Sequence, residues 1–113
     1  MDIVMKKNGV KTYIENLWNE SLKEGHDYLE IRELIIVKSV PWIVETLNEL
    51  KINKILLTSS QSDIAKIIYI LCQNGYTLSG VERIEHKYGS VYDENGKEYK
   101  DGKTYLEVFV LQR

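Results

Sequence analysis

The segment from Ile52 to Gly75 constrains the fold most, because an apolar run is followed there by helical periodicity. Ile52 to Thr58 has a continuous apolar centre, which is typical of a strand buried on both faces. Beyond it, apolar residues recur three and four positions apart up to Gly75, which predicts an amphipathic helix. Ser60 and Asp63 resemble a capping box at the start of that helix. A buried strand that leads into a helix indicates helices packed on a sheet.

Three segments precede this unit. Val10 to Glu24 has apolar residues on one helix face and stops at Gly25, which suits the left-handed position after a helix. Tyr28 to Val37 is compatible with a strand or an amphipathic helix, and the β-branched residues near its end favour a strand. Ser39-Val40-Pro41 opens a further helix, because proline is tolerated in the first helical turn.

The remainder of the chain is predicted to form strands. Tyr76 to Tyr88 alternates loosely between apolar and polar residues, and Gly80 within it indicates a bulge. Asn95-Gly96 and Asp101-Gly102 each suit a tight hairpin turn, and Thr104 to Leu111 is typical of a sheet strand. The predicted fold is α+β (α/β): an N-terminal helix, then strand-helix-strand-helix, followed by an antiparallel strand meander.

Length and composition indicate a globular protein. A chain of 113 residues has room for one domain, residues 1–113, and a composition of 43% hydrophobic and 28% charged residues argues against disorder. The net charge of -2 argues against autonomous binding to nucleic acid. No run reaches the roughly 20 apolar residues of a membrane span, and the single cysteine, Cys72, excludes an intramolecular disulfide. We therefore expect a cytoplasmic protein without membrane contact.

A polar run at Ser59, Ser60 and Gln61 follows the buried strand. Ligands collect at the carboxyl ends of such strands, so these residues are a candidate ligand pocket. The alternative is that a serine caps the next helix and its neighbours are solvated. The run contains no glycine for a phosphate cradle, and His26 and His86 lack further metal ligands at a suitable spacing. No catalytic residue, metal or cofactor is expected.

Tyrosines and charges are concentrated in residues 82–113, which carry seven acidic residues, six basic residues and four of the eight tyrosines. Tyrosine is favoured at protein interfaces, so an exposed hairpin rich in tyrosine and carboxylates is a candidate contact surface. The predicted partner-binding residues are Tyr88, Tyr92, Asp93, Glu94, Glu98 and Tyr99. The alternative is that Tyr92 and Tyr99 face each other and stabilise the hairpin itself.

The stretch Gln73 to Val81, with the order of elements from Leu29 to Leu111, resembles the C-terminal half of an acetyltransferase of the GNAT superfamily. The resemblance implies a GNAT-like topology. In that family a glycine-rich loop holds the pyrophosphate of coenzyme A, whereas the matching residues here, Lys38 to Trp42, contain a proline and no glycine. A degenerate acyltransferase or small-ligand-binding domain, with its pocket at Ser59 to Gln61, is the alternative function.

A second resemblance rests on Ser59 to Ser62, Asn74-Gly75-Tyr76, Tyr92-Asp93 and Gly96-Lys97-Glu98. These stretches resemble a family of small proteins carried by phages and plasmids of Firmicutes. Genes of this size on mobile elements often encode proteins that disarm host defences, and anti-CRISPR proteins are among them. The resemblance implies a non-catalytic protein that inhibits a host-defence effector, such as a CRISPR nuclease, by occluding its nucleic-acid groove. A third hypothesis is a homodimer paired through the apolar strand from Thr104 to Leu111.

Overall fold

The computed structural model describes residues 2–3, 7–87, 91–92, 94–99 and 103–113. Over these ranges the chain alternates helices and strands before it ends in strands, which confirms the predicted α+β class. The helices are α1 (Lys7–Lys23), α2 (Val40–Glu49) and α3 (Ile64–Gln73); the strands are β1 (Asp2–Ile3), β2 (Leu29–Ile31), β3 (Leu34–Ile35), β4 (Lys54–Thr58), β5 (Thr77–Lys87), β6 (Val91–Tyr92), β7 (Glu98–Tyr99) and β8 (Lys103–Gln112).

A four-stranded mixed sheet has the order β2-β4-β8-β5. β2 is parallel to β4, and β8 is antiparallel to both β4 and β5, so β5 runs in the same direction as β4. The final strand is therefore inserted between two strands that α3 connects. β5 and β8 pair directly from Thr77 and Gln112 to Lys87 and Lys103, and β6 pairs with β7 as a separate hairpin.

All three helices cover one face of this sheet. Ile55 and Leu57 of β4 and Leu111 of β8 face the helices, and fully buried residues such as Ile14 and Leu47 pack against them. Burial of each such side chain stabilises the fold by about 1.5–3 kcal/mol. On the opposite face, Leu56, Val108 and Val110 form a smaller cluster with partly buried Tyr28 and Ile84 around it. The prediction that the strand after Ile52 is buried on both faces is confirmed.

Several local predictions are also confirmed. Gly25 and Gly75 follow α1 and α3 with φ angles of +78° and +95°, so both occupy the left-handed position in which glycine is favoured. Pro41 lies in the first turn of α2. The register between β5 and β8 shifts between Leu78 and Gly80, where the bulge was predicted. The strand predicted over Tyr28 to Val37 is confirmed only as two short strands, β2 and β3, and Val37 at its end begins a short 3-10 helix, Val37–Ser39, that leads into α2.

The predicted capping box before α3 is wrong. The helix begins at Ile64, and Asp63 at the N-cap makes no side-chain hydrogen bond to its first turn. The Ser60 hydroxyl instead donates to Thr58 Oγ1 at 3.4 Å. Nothing in the sequence indicated β1, because its two residues are too few to show a period and pair in parallel with β3. Among the helices described, none is long and apolar enough to cross a membrane.

The connection between α3 and β5 is fixed by the aromatic residue that follows Gly75. Tyr76 is buried, and its hydroxyl donates to the Ile52 carbonyl at 2.5 Å. The Arg113 guanidinium lies 4.3 Å from the centre of the Tyr76 ring, in cation–π contact, and donates to the Asn48 side chain. Arg113 also binds the C-terminal end of α2, because its Nη2 donates to the Leu47 carbonyl at 3.3 Å.

Tyr13 of α1 makes stability sensitive to alkaline pH. Burial, and after it the charge of Glu33, raises the pKa of Tyr13 from 10.0 to about 12. The unfolded chain thus loses the Tyr13 proton first, so the stability contributed by this residue is complete below pH 10 and is lost between pH 10 and 12. Because solvent screens the half-buried ring, we expect the wild type to lose about 1–2 kcal/mol more over this interval than Tyr13→Phe, as measured by urea unfolding. Identical pH slopes in the two proteins would contradict the assignment.

Candidate functional site

The three residues of the predicted ligand pocket have different environments. Ser59 and Ser60 are exposed, whereas Gln61 is buried, with 3% of its surface accessible. Gln61 Oε1 accepts from the Ile35 N–H at 2.9 Å, and Nε2 donates to the Glu33 carbonyl at 2.6 Å. The Gln61 amide thus ties the loop after β4 to the backbone around β3. This geometry favours a structural role for Gln61 over ligand contact.

The predicted partner-binding hairpin is described only in part. Tyr88 and Asp93 lie outside the described residues, as do Asp101 and Gly102 of the second predicted turn. Glu94 is exposed in the connection between β6 and β7, which contain the other candidates, Tyr92, Glu98 and Tyr99.

The register of this hairpin differs from the expectation. Tyr92 pairs with Glu98, and Val91 pairs with Tyr99. A two-residue turn at Asn95-Gly96 would have placed Tyr92 opposite Tyr99, but the observed register is shifted from that arrangement by one residue. The predicted cross-strand pair of tyrosines is therefore wrong.

A groove lies between the C-terminal half of α1 and the segment that leads into β2. Its volume is about 320 Å³, at the lower end of the range for ligand pockets. Its lining is Leu17, Glu20, Ser21, Glu24, His26, Tyr28, Glu30 and Arg32. Sequence reasoning missed this site, although a signal exists. Glu20 and Glu24 are four apart, within and just after α1, and the last four lining residues alternate along the chain, which puts them on one side.

Short-range contacts hold the two walls of the groove together. The buried Ser21 hydroxyl on α1 donates to the Tyr28 carbonyl, and the His26 N–H donates to the Ser21 carbonyl at 2.9 Å. Gly25 allows the chain to reverse between the two walls. The rings of His26 and Tyr28 then stack, with centroids 4.7 Å apart and an interplanar angle of 12°. The result is a flat aromatic surface inside a polar groove.

Carboxylates dominate the charge of the groove. Glu24 Oε2 lies 3.6 Å from His26 Nδ1, and Arg32 Nη2 lies 3.1 Å from each oxygen of Glu30. The Arg32 hydrogen bond goes to Oε2, which leaves the buried Oε1 of Glu30 with an ion-pair contact alone. Burial raises the pKa of Tyr28, and the charges of Glu30 and Glu24 raise it further, while Arg32 lowers it. Lys54 Nζ lies 5.8 Å from the centre of the Tyr28 ring, so three carboxylates and two cations of the chain surround the aromatic stack, with one excess negative charge.

This arrangement suits a cation more than an anion. A carboxylate attracts an ammonium or guanidinium group, and an aromatic face attracts the same groups through its quadrupole. Within the described part of the chain, no group of three or more histidine, cysteine, aspartate or glutamate side chains is placed to hold a metal ion. The excess negative charge and the aromatic rings of the groove are complementary to a lysine or arginine side chain.

Comparison with known proteins identifies a family for most of the chain. A family model described as a domain of unknown function, DUF7698, matches residues 13–105, which include the groove and most of the sheet. No curated protein matches the chain.

Proposed function

The chain belongs to the DUF7698 family, and we propose that it is a small non-catalytic binding protein that docks on a basic surface of a protein partner. The observation that carries the proposal is the groove between α1 and β2, where carboxylates surround the stacked rings of His26 and Tyr28. A lysine or arginine side chain of the partner enters this groove. Its cationic end lies near Glu20 and Glu24, and its aliphatic stem lies against the rings.

Each group in this contact is expected to contribute a small binding free energy, and the contributions add. A solvent-exposed ion pair contributes about 0.2–1 kcal/mol, and a cation over an aromatic ring contributes about 0.5–1 kcal/mol more. One anchored side chain therefore gives weak binding, which suits a single contact within a larger docking surface. The exposed Glu94 and the predicted hairpin residues Tyr92, Glu98 and Tyr99 supply the rest of that surface in this proposal.

The nature of the partner follows from its chemistry and from the resemblance to phage and plasmid proteins. Channels that bind nucleic acid are rich in lysine and arginine, as in CRISPR nucleases, where the guide and target lie in a positively charged channel. An acidic groove and an acidic hairpin are complementary to such a channel. We therefore propose inhibition of a host-defence protein by occlusion of its nucleic-acid channel.

The groove is tested with a basic peptide. Fluorescence anisotropy with labelled octa-arginine is expected to show binding to the wild type that is about tenfold weaker in Glu20→Gln/Glu24→Gln, because two carboxylates lose their charge. The matched control is Glu45→Gln/Glu49→Gln, which removes two carboxylates with the same spacing from α2, where they pair with Lys7 and Lys11. Equal weakening in both variants would mean that only overall charge matters, and would contradict the groove.

Inhibition is tested separately in a DNA-cleavage assay with guide-loaded CRISPR nucleases of Firmicutes. The expected result is slower cleavage that recovers when Glu20 and Glu24 are both replaced by glutamine. Cleavage at the normal rate in the presence of excess wild type would remove this class of partner. If the wild type still binds the basic peptide in that case, the groove remains the proposed site for a basic protein segment of another partner.

A further inference from the structure

The strand β5 lies at the edge of the main sheet. It is the last strand in the order β2-β4-β8-β5, and it is 11 residues long. Among the strands that the structure describes, only β8 pairs with it. Near the start of this strand, Leu78 and Val81 are 43% and 57% exposed, and Tyr69 on the neighbouring helix α3 is 65% exposed. An edge of this length is a template for a further strand.

The hydrogen-bond pattern shows which residues of β5 point their backbone groups outward. The Ser59 N–H donates to the Glu107 carbonyl at 3.0 Å, so odd-numbered residues of β8 bond to the β4 side. Even-numbered residues of β8 then bond to β5, where Val108 pairs with Glu82 and Leu106 pairs with Ile84. In this part of β5 the odd-numbered residues therefore direct their N–H and carbonyl groups away from the sheet.

The charges of this edge are complementary when two copies of the strand pair about Ile84. Residues 82–86 read Glu-Arg-Ile-Glu-His. When two copies run antiparallel about Ile84, each Arg83 lies opposite Glu85 of the other copy, and each Glu82 lies opposite His86. A centre at Glu82 or at Arg83 instead places two like charges directly opposite each other, which is unfavourable. A centre at Glu85 does the same, so among the centres from Glu82 to Glu85 charge selects Ile84.

We propose that two copies of the chain pair through β5, antiparallel about a two-fold axis at Ile84, to form one continuous sheet. Charged residues on an edge strand oppose pairing with unrelated strands, and here the same charges favour a second copy paired about Ile84. The axis is perpendicular to the sheet, so the helices of both copies lie on the same side. The groove lies beside β2 at the opposite edge, so the dimer would present two grooves.

This interface replaces the predicted pairing through Thr104 to Leu111. From Val108 to Gln112, β8 pairs with β4 on one side and with β5 on the other. Its backbone groups in that stretch are used within the sheet, so Val108 to Leu111 offers no edge to a second copy, whereas β5 lies at an edge.

Charge reversal at two positions tests the register. Light scattering at increasing concentration is expected to show twice the mass of one chain for the wild type, and one chain mass for Arg83→Glu and for Glu85→Arg, each with dimerisation weakened about tenfold or more. An equimolar mixture of the two variants is expected to form a heterodimer. In that heterodimer, residue 83 of each chain lies opposite a residue 85 of the other chain that carries the opposite charge. If a variant failed to dimerise because it was misfolded, mixing it with the other variant would not restore the dimer.

Other outcomes overturn the proposal. A wild type that remains monomeric at millimolar concentration excludes self-association through β5. A dimer that persists in both single variants, with unchanged thermal melting, places the interface elsewhere. Failure of the mixture to dimerise while each variant melts like the wild type excludes the register centred on Ile84. The peptide assay for the groove uses residues far from β5, so these outcomes are independent of the proposed function.

Discussion

Replacement of Gln61 by leucine is expected to lower the free energy of unfolding by about 2–4 kcal/mol. The substitution removes both hydrogen bonds of the side chain and leaves the Ile35 N–H and the Glu33 carbonyl without this partner. A buried donor without a partner costs about 1–3 kcal/mol, since it has lost water and gained nothing in exchange. Leucine fills a similar volume, so the cost reports on hydrogen bonding more than on packing. Urea unfolding monitored by circular dichroism measures the change.

Gln73→Leu is the matched control for this experiment. Gln73 also donates a side-chain hydrogen bond, at 3.1 Å to the Tyr69 hydroxyl, but both residues are exposed on α3. Water replaces that bond when it is lost, so the expected change is within about 0.5 kcal/mol. Similar losses for Gln61→Leu and Gln73→Leu would show that the Gln61 contacts do not stabilise the fold.

Gln61 also shows why the sequence pointed to a ligand pocket at this place. A polar run after a buried strand is the usual position of a ligand site in open α/β sheets, and nothing local distinguishes Gln61 from Ser59 or Ser60. The partners of its amide lie 26 and 28 positions earlier in the chain, in and just before a strand of two residues. Such a long-range backbone contact leaves no periodic signal, so only the folded structure reveals it.

Features that depend on neighbouring residues were predictable. The helical stripe after Asp63, the glycines after α1 and α3 and the bulge near Gly80 all follow from local periodicity or from a backbone angle that glycine favours. Features that depend on contacts between distant segments were not predictable. The groove combines Glu20 of α1 and Glu24 just after it with side chains in and beside β2, and the hairpin register differs by one residue from that predicted by the turn motif.

The largest loss of stability is expected for Leu57→Ala, at about 3–4 kcal/mol. Leu57 is fully buried in β4, where it lies between Ile31 of β2 and Phe109 of β8 in the register of the sheet. The helices cover this face, so removal of the side chain leaves a cavity that the packed residues around it cannot close completely. The loss combines the transfer energy of the deleted groups with the cost of the cavity that remains.

Leu78→Ala separates the effect of burial from that of the substitution itself. Leu78 faces the same side of the sheet as Leu57, because it pairs with Leu111, but it lies on the edge strand and is 43% exposed. Solvent already contacts its side chain, so its removal leaves no closed cavity, and we expect a loss below about 1 kcal/mol. Thermal unfolding of both variants at one low protein concentration measures the two losses. Equal losses of stability at the two positions would mean that the helices do not exclude solvent from the sheet over β4.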